Sequence, residues 1–428
     1  MNKIVTAAAF ATRLYARRAQ LAYAGYVRHR PMARLSTRPG RTDPYAIYDR
    51  MRADGTLTPT LLGNWVTTSH RVCETVLRDR AFGVRPVDTE RAADEGVGDM
   101  SMLDMNPPDH TRLRRLALPA LHPKVIAGYR DRIERTVGDL ADRAIAAGRF
   151  DLVSTFAAPL PIAVIADLLG IPDADSTAFA HDGAVIGSAL DGIRSLRQAA
   201  ELQRSDGRLR ELFENLLALR RREPTDDIVS RLVAAEGDQI KSAEMVPMCV
   251  LLLIAGFETT VNAIGNGVLA LLDHPDQWEA LCADPETMAP KAVEEVLRYD
   301  PPVQRTGRFA LEPFELDGKP VRKDQFVVTL IGAANRDPEA YDRPNTFDIT
   351  RDPGQNHLAF SSGIHYCVGQ PLARLELIIA FQTLAERLPG LHRAGPVRRR
   401  NATTIRGPIQ LPLTAGTRIK SAAVPSRP

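Results

Sequence analysis

The chain of 428 residues is roughly three times as long as a typical domain, and its 44% hydrophobic and 25% charged residues are typical of a packed globular protein. This length and composition exclude a mini-scaffold, a disordered chain and a fibrous rod. The net charge of +3 is unevenly distributed along the chain. Residues 1–42 hold nine Lys or Arg and no acid, residues 389–428 hold eight basic residues and no acid, and the residues between these two ends carry a net charge of −14. A nucleic-acid-binding protein is therefore not expected, and four scattered cysteines without a C-x-x-C pair argue against a disulfide framework and favour a reducing, cytoplasmic compartment.

Residues 1–42 form a basic arm whose apolar stretch is too short, and lacks the cleavage site, for a signal peptide. In a helix, Phe10, Leu14 and Leu21 would share one side and the arginines another, a pattern typical of helices that lie on anionic membrane surfaces. A partly disordered tail is the alternative. Prolines and a glycine end the arm, so we expect it to precede one large domain over residues 43–428.

Helical periodicity dominates that domain, and its strand patterns are short. Helices are predicted at 43–55, 124–147, 157–169, 190–222, 242–273, 288–299 and 370–387. Strands are predicted at 65–68, within 305–330 and in a tail that ends near residue 413, and the dipeptide Asp317-Gly318 is typical of a hairpin turn. With no repeat and no internal domain boundary, the pattern predicts a mainly α fold with small β-sheets, an α+β architecture.

The apolar run Met248–Leu272 has the length of a membrane span, but Glu258 would then lie near the bilayer centre at a cost of about 3 kcal/mol. A central buried helix is the simpler interpretation. Its cluster of Glu258, Thr259 and Gly256 is then either a satisfied structural network or a functional site. The motif G-N-G-V-L-A at 265–270 matches a dinucleotide fingerprint, but it lies inside the helix, so we expect these glycines to serve helix packing.

The segment Phe360–Arg374, F-S-S-G-I-H-Y-C-V-G-Q-P-L-A-R, places Cys367 in a glycine-containing loop just before a helix. Amides at the helix start would point toward the sulfur and stabilise a thiolate. A zinc site lacks further ligands, and a nucleophilic thiolate would need a base in a cleft. A thiolate that ligates haem iron fits the frame better, because Gly363 and Gly369 let the backbone approach a flat macrocycle and Phe360 packs near the sulfur.

This loop resembles the haem-binding loop of cytochrome P450 monooxygenases, whose pattern F-x-x-G-x-H-x-C-x-G it keeps. Four further segments resemble family markers in the family's order: H-T-R-L-R at 110–114, A-G-F-E-T-T at 255–260, E-V-L-R at 295–298 and T-G-R-F at 306–309. The resemblance covers residues from about 43 to 413 and is to the soluble bacterial, ferredoxin-dependent type. It implies a single large domain with the haem between the central long helix and the Cys loop with the last long helix.

The resemblance also implies roles for individual residues, beginning with haem b (iron protoporphyrin IX) and Cys367 as its axial thiolate ligand. The implied haem contacts are His110, Arg114, Arg308 and His365 at the two propionates, Phe360, Gly363 and Gly369 in the loop, and Ala255 and Gly256 on the central helix. Glu258 and Thr259 would form a catalytic proton-delivery pair, and Glu295 and Arg298 a structural pair. The implied substrate pocket includes Met102, Leu103, Ile254, Ala255 and Val303, the loop at about 84–105 and the helices at 175–205.

The activity implied is a monooxygenase that inserts one atom of dioxygen into an apolar small molecule. Its two electrons would come from NAD(P)H through a ferredoxin reductase and a ferredoxin, because the chain has no flavin, iron–sulfur or nicotinamide module of its own. A peroxygenase or peroxidase that uses the same haem is one alternative, against which the Glu258 and Thr259 pair argues. A non-catalytic haem protein that binds ligands is another, and it would not need that pair.

Two positions depart from the family pattern. Ser361 stands where glycine is common, so the loop must accept a side chain there. Thr346 stands where many members place an arginine that joins the Glu295 and Arg298 network, and Arg343 and Arg336 are the candidates that could substitute for it, a choice that the sequence leaves open.

Overall fold

The structure is a computed structural model that describes residues 2–61, 63–88, 100–172, 176–352 and 354–416. In chain order its helices are α1 Asn2–Ala22, α2 Pro31–Leu35, α3 Arg38–Thr42, α4 Tyr45–Ala53, α5 His70–Arg78, α6 Asp109–Ala117, α7 Pro123–Ala127, α8 Arg130–Ala147, α9 Pro159–Leu168, α10 Ser176–Gly187, α11 Leu196–Arg222, α12 Ile228–Ala234, α13 Ser242–Asp273, α14 Pro275–Ala283, α15 Pro285–Tyr299, α16 Ile331–Ala334 and α17 Gln370–Arg387. The strands are β1 Leu57–Pro59, β2 Trp65–Thr67, β3 Phe82–Gly83, β4 Arg149–Asp151, β5 Thr306–Ala310, β6 Phe314–Leu316, β7 Lys319–Val321, β8 Phe326–Thr329, β9 His392–Arg393, β10 Arg398–Arg399, β11 Pro408–Gln410 and β12 Pro412–Thr414.

The strands form small sheets at the edges of a helical body. The largest has the order β1-β2-β8-β5-β3, in which only β2 and β8 run parallel. A three-stranded sheet has the order β4-β12-β9, and β10 pairs with β11. Strands β6 and β7 form the predicted hairpin, and Asp317 and Gly318 turn it with φ angles of 52° and 71°, the left-handed values that this turn needs.

Helix α13 is the centre of the fold. It is 32 residues long and is the one described helix long and apolar enough to span a membrane, but 83% of its apolar window is buried inside the fold. The predicted central helix is thereby confirmed. Two of its three glycines allow close packing near its carboxyl end: a Cβ at Gly265 would lie 2.5 Å from Pro408, and one at Gly267 would overlap the Phe381 ring of α17. The dinucleotide motif therefore serves helix packing, as predicted.

Most predicted helices are present at or close to their predicted bounds, and the long ones at 242–273 and 370–387 coincide with α13 and α17. The predicted helix at 124–147 is instead two helices, α7 and α8, because the chain turns at Gly128 and Tyr129.

The amino-terminal arm is partly packed onto the body. Leu35 is buried in a cluster with Tyr48 and Met51 of α4, and the Arg406 side chain donates hydrogen bonds to the carbonyls of Arg41 and Thr42. The predicted boundary at residue 42 therefore falls inside a packed segment. The part of the arm that lies outside the core is α1, most of whose described side chains are exposed.

Candidate functional site

Cys367 lies in a closed loop at the start of α17. Its amide donates to the Phe360 carbonyl at 2.9 Å, which brings the two ends of the loop together. The backbone amides of Gly369 and Gln370 at the helix start lower the pKa of the Cys367 thiol, which is the direction that the sequence predicted. The thiol is half-buried and lines an internal cavity of about 2650 Å³.

Burial nevertheless has the largest effect on the pKa of the Cys367 thiol and raises it, because a buried thiolate charge is costly. The groups that lower the pKa, in order of size, are the Gly369 amide, Arg114, Arg374 and the Gln370 amide. The chain alone therefore favours the protonated thiol. A thiolate at this place requires a cation beside the sulfur, which a metal ion supplies.

The two loop glycines have different uses. Gly363 has φ 69°, and a Cβ there would overlap the Leu77 carbonyl at the end of α5. It does not line the cavity, so its predicted role beside a macrocycle is corrected to close packing of the loop against α5. Gly369 does line the cavity, and a Cβ there would meet open space, as expected for a position that faces a bound group.

Ser361, the departure noted in the sequence, adopts the left-handed backbone conformation with φ 63°. Its amide donates to the Leu358 carbonyl at 2.8 Å, which forms the turn, but its buried hydroxyl has no hydrogen-bond partner among the described residues. The loop has kept a backbone suited to glycine and carries a serine in it.

A basic cluster borders the cavity beside the loop. His110 of α6 and His365 have ring centroids 4.1 Å apart, and their Nδ1 and Nε2 atoms, respectively, are buried without partners in the described part of the chain. Arg114 donates to the Tyr366 carbonyl at 2.5 Å, and Arg308 donates only within its own strand. No described carboxylate forms an ion pair with any of these four side chains.

The pKa values of these four side chains are lowered, because the side chains are buried without a negative charge nearby. Burial lowers the pKa of His365 to about 3, with further lowering by Arg308, and burial alone lowers the pKa of Arg308 to about 10. The pKa values of His110 and Arg114 are lowered too, chiefly by burial. The cluster therefore lacks negative charge, and a carboxylate placed among its members would gain strong charge-assisted hydrogen bonds.

Helix α13 forms the opposite wall. Ala255 and Thr259 face the cavity, and Thr259 Oγ1 donates to the Ala255 carbonyl at 3.2 Å. Leu251 and Leu252 share this face, because both lie about one turn before Ala255 and two turns before Thr259. Ile254, predicted to line the pocket, is buried but does not line the cavity, since it lies five residues before Thr259 on another side of the helix.

Gly256 also borders the cavity, but the space left by its missing side chain is filled from within the fold. A Cβ there would lie 2.8 Å from the Ile165 side chain of α9. The glycine therefore allows α9 to approach α13, and the predicted room for a bound group at this position is taken by Ile165.

Glu258 does not line the cavity. Its carboxylate lies 2.5 Å from Arg400, in the segment after β10, as a close ion pair without good hydrogen-bond geometry. Burial raises the pKa of Glu258, while Arg400 and then Asn262 oppose the increase. The two members of the predicted proton-delivery pair therefore lie on different sides of α13. The Thr259 hydroxyl is on the side that lines the cavity, and the Glu258 carboxylate is not.

Glu376 of α17 is a cavity-lining acid that the sequence interpretation missed. It is 1% exposed, and neither carboxyl oxygen has a hydrogen-bond partner among the described residues. Burial raises its pKa well above the ordinary value. The sequence signal that could have predicted its burial is its position in the helix, one turn after Leu372 and beside Leu377 on the buried face.

Glu295 and Arg298 form a buried ion pair at the end of α15, with N–O distances of 2.7 and 2.8 Å. Arg298 also donates to three backbone carbonyls, at Asn335, Pro344 and Thr346. The third partner is Arg351, 3.4 Å from Glu295 and bonded to the Thr346 carbonyl.

The two arginines expected as substitutes are engaged elsewhere. Arg343 pairs with Asp348 at 3.4 Å, and Arg336 lies over the Tyr45 and Tyr299 rings, 3.4 and 3.6 Å from their centroids. The prediction is therefore corrected to Arg351, a position nearby in the same segment.

The remaining predicted pocket residues, Met102, Leu103, Val303 and Ala255, all line the cavity. Residues 89–99 and residue 175, which the sequence also assigned to the pocket, lie outside the described residues. The cavity continues past this apolar region to the surface beside α1.

Haem fits this site on three observations. Cys367, Ala255 and Thr259 line the same cavity, which leaves room for a bound group between the Cys loop and α13. The basic cluster without a counter-charge suits the two propionates, and a metal ion bound to the half-buried Cys367 sulfur would stabilise its thiolate.

Comparisons with known proteins agree with this reading. The family model described as Cytochrome P450 matches residues 198–388. The chain is 38% identical to the biotin biosynthesis cytochrome P450 of Bacillus subtilis over 82% of this chain and 91% of that one, and 39% identical to the cytochrome P450 monooxygenase PikC of Streptomyces venezuelae over 82% and 85%. The crystal structure of P450BioI in complex with a hexadecenoic acid-ligated acyl carrier protein superposes with a TM-score of 0.81 at 36% identity, covering 87% of this chain and 98% of that one.

Enzymes of this kind use dioxygen and draw their electrons from a redox partner. With such identity over most of its length, the chain belongs to the bacterial cytochromes P450, which are haem-thiolate monooxygenases.

Proposed function

We propose that Cys367 is the axial ligand of the haem and that the enzyme inserts one oxygen atom into an apolar small molecule. The observation that supports this most directly is a continuous cavity that is lined by Cys367, by Thr259 and by the apolar side chains of Leu251, Leu252 and Val303. When bound, the haem supplies the iron centre at which dioxygen is activated. The chain supplies the slot, the anchoring charges and the exclusion of water.

The basic cluster would hold the propionates. Arg114 and Arg308 offer guanidinium donors, and His110 and His365 each have a free buried ring nitrogen. Two buried carboxylates need such partners, because an unpaired charge in the interior is costly. The arrangement supports binding of the haem with its acidic edge at this cluster.

Thr259 and Glu258 would handle protons from opposite sides of α13. The Thr259 hydroxyl makes only a long bond to the Ala255 carbonyl, so it can turn to hold a water or a reacting oxygen. Glu258 can pass on a proton only when its ion pair with Arg400 opens, since the pair now directs the carboxylate away from the cavity. Opening of this pair would therefore regulate proton supply.

Electrons would arrive from a ferredoxin that docks near the Cys loop, in the cytoplasm, where the four free cysteines stay reduced. Arg374 in this region is already committed, because it pairs with Glu294 at 2.6 Å and lies over the Phe360 ring. It would position the loop, and docking would depend on other basic side chains.

The carbon monoxide difference spectrum of the reduced protein tests the central assignment. We expect the red-shifted Soret band of a thiolate-ligated haem, its loss in Cys367→Ala, and its retention in the control Cys282→Ala, whose thiol is half-buried in α14. Survival of the band in Cys367→Ala would contradict the assignment. Ligands that shift the haem spin state would then identify the substrate class.

Thr259→Ala tests the distal hydroxyl. We expect it to bind haem and substrate normally but to divert electrons into hydrogen peroxide, which is measured as peroxide formed per NAD(P)H consumed. Thr136→Ala is the matched control, because Thr136 makes the same bond to the carbonyl four residues earlier on the surface of α8. Tightly coupled product formation by Thr259→Ala would show that the hydroxyl is not needed.

A further inference from the structure

The outer end of the active-site cavity is bordered by the amino-terminal helix α1. Phe10, Arg13, Leu14, Arg17 and Leu21 lie within about 100° of one another around this helix, and all five line the cavity. The arginines therefore share the face of the apolar side chains, and the prediction that they lie on another side is wrong. We call these five residues the basic rim. The mouth of the cavity is therefore built by a segment that contributes nothing to the haem site.

The charge around this mouth is of one sign. Residues 1–42 contain nine basic residues and no acid, and Arg13 and Arg17 form no ion pair with any residue that the structure describes. Arg18 donates to the Arg194 carbonyl at 2.6 Å, which ties α1 to the segment before α11. Because the body between the basic ends has a net charge of −14, an anionic surface would repel most of the molecule and attract it at α1.

Large apolar side chains are exposed at the same place. Six of the seventeen exposed large hydrophobic residues in the described chain lie within residues 10–27, namely Phe10, Tyr15, Leu21, Tyr23, Tyr26 and Val27. Leu61 and Leu190, which are also exposed, line the same cavity. Exposed tyrosines and aliphatic side chains among arginines are typical of segments that lie in the interface of a membrane.

We propose that the basic rim docks the enzyme on an anionic phospholipid bilayer with the cavity mouth turned toward the lipid. An apolar substrate would then pass from the bilayer into the cavity without crossing water. An acidic protein would match the arginines, but it would leave the exposed Tyr23, Tyr26 and Val27 without an apolar phase. The proposal does not depend on the reaction that the haem site performs.

Sedimentation of the full-length, haem-loaded protein with vesicles tests the docking. We expect binding to mixed phosphatidylglycerol and phosphatidylcholine vesicles, little binding to phosphatidylcholine alone, and release by salt. Arg13→Gln/Arg17→Gln should weaken binding about 30-fold, since each basic residue near an anionic surface contributes about fivefold. The control Arg135→Gln/Arg143→Gln removes the same charge from exposed positions of α8 and should bind like the wild type.

A second measurement tests the orientation. A tryptophan at Leu190→Trp should be quenched by brominated lipid in anionic vesicles, whereas Ile145→Trp, at an exposed position on α8 away from the cavity, should not be. Equal quenching at both sites, equal weakening by both arginine pairs, or no binding to anionic vesicles at low salt would overturn the proposal. Salt-sensitive binding to an acidic protein in the absence of vesicle binding would assign the rim to a protein partner instead.

Discussion

Strain in the Cys loop is located at one backbone torsion. Ser361 holds φ 63°, where a side chain costs about 1–2 kcal/mol relative to glycine, and its buried hydroxyl gains no hydrogen bond in return among the described residues. The other positive φ angle between Phe360 and Cys367 is that of Gly363, 69°, where no side chain is strained. The family's usual glycine at this position therefore has a physical reason.

Ser361→Gly should stabilise the haem-loaded protein by about 1 kcal/mol, because glycine adopts this torsion without a Cβ clash. The measurement is the midpoint of denaturant unfolding. Ser362→Gly is the control, since Ser362 has an extended backbone with φ −152° and gains nothing from glycine. An unchanged or lower midpoint for Ser361→Gly would mean that the serine makes a compensating contact.

Glu376→Gln should stabilise the protein increasingly as pH rises. The folded-state pKa of Glu376 is raised, so the stability that the wild type has below the unfolded pKa is lost as pH increases toward the folded value. Between pH 5 and 8 the difference between variant and wild type should grow by up to about 1.4 kcal/mol per pH unit. Unfolding midpoints across this range are the measurement, and Glu386→Gln, at an exposed site on the same helix, is the control substitution. A flat difference for Glu376→Gln would mean that the carboxyl finds a charge partner.

At the scale of elements, the end of α15 is joined to the segment around residues 342–351 by one buried network. Glu295 accepts from Arg298 and from the Asp348 amide, and Arg351 approaches the Oε2 atom that also accepts from Arg298. Removing Arg351 leaves Glu295 paired with Arg298, but it takes away the hydrogen bonds to the carbonyls of Asp342, Arg343 and Thr346, each worth about 1 kcal/mol.

Arg351→Ala should therefore destabilise the protein by about 3 kcal/mol and lower haem retention, whereas Arg343→Ala, at an exposed position, should change stability by less than about 0.5 kcal/mol. Thermal unfolding followed at the Soret band measures both. Equal effects of the two substitutions would return Arg343 to the role that the sequence suggested.

These elements also show what sequence reasoning can reach. The bounds of α13 and α17 and the Asp317-Gly318 turn follow from local periodicity and torsion preferences, so they were predictable. The side of α13 that the Glu258 carboxylate faces was not predictable, because it depends on Arg400, which lies far away in the sequence, in the segment after β10. Arg351 was missed for the same reason, since neighbouring arginines in an irregular segment are distinguished only by tertiary contacts.

For the whole molecule, the amino-terminal region divides near residue 22. Deleting residues 2–22 should leave the unfolding midpoint close to that of the full chain, since most described side chains of α1 are exposed. Deleting residues 2–42 should cost about 2–5 kcal/mol, because it removes buried Leu35 and Ala33 and the carbonyls that hold Arg406. Equal midpoints for the two deletions, with haem content as the check on folding, would mean that the packing of α2 and α3 adds no stability.

The close packing of α13 against its neighbours limits the substitutions that its glycines can accept. In a saturation library sorted on haem absorbance, Gly265 and Gly267 will accept as few substitutions as Cys367, since any Cβ there meets Pro408 or the Phe381 ring. Depletion at these glycines would record only the distance between packed segments. Intolerance to substitution is thus a poor guide to chemistry along this helix, where the reacting face and the packing face alternate every two residues.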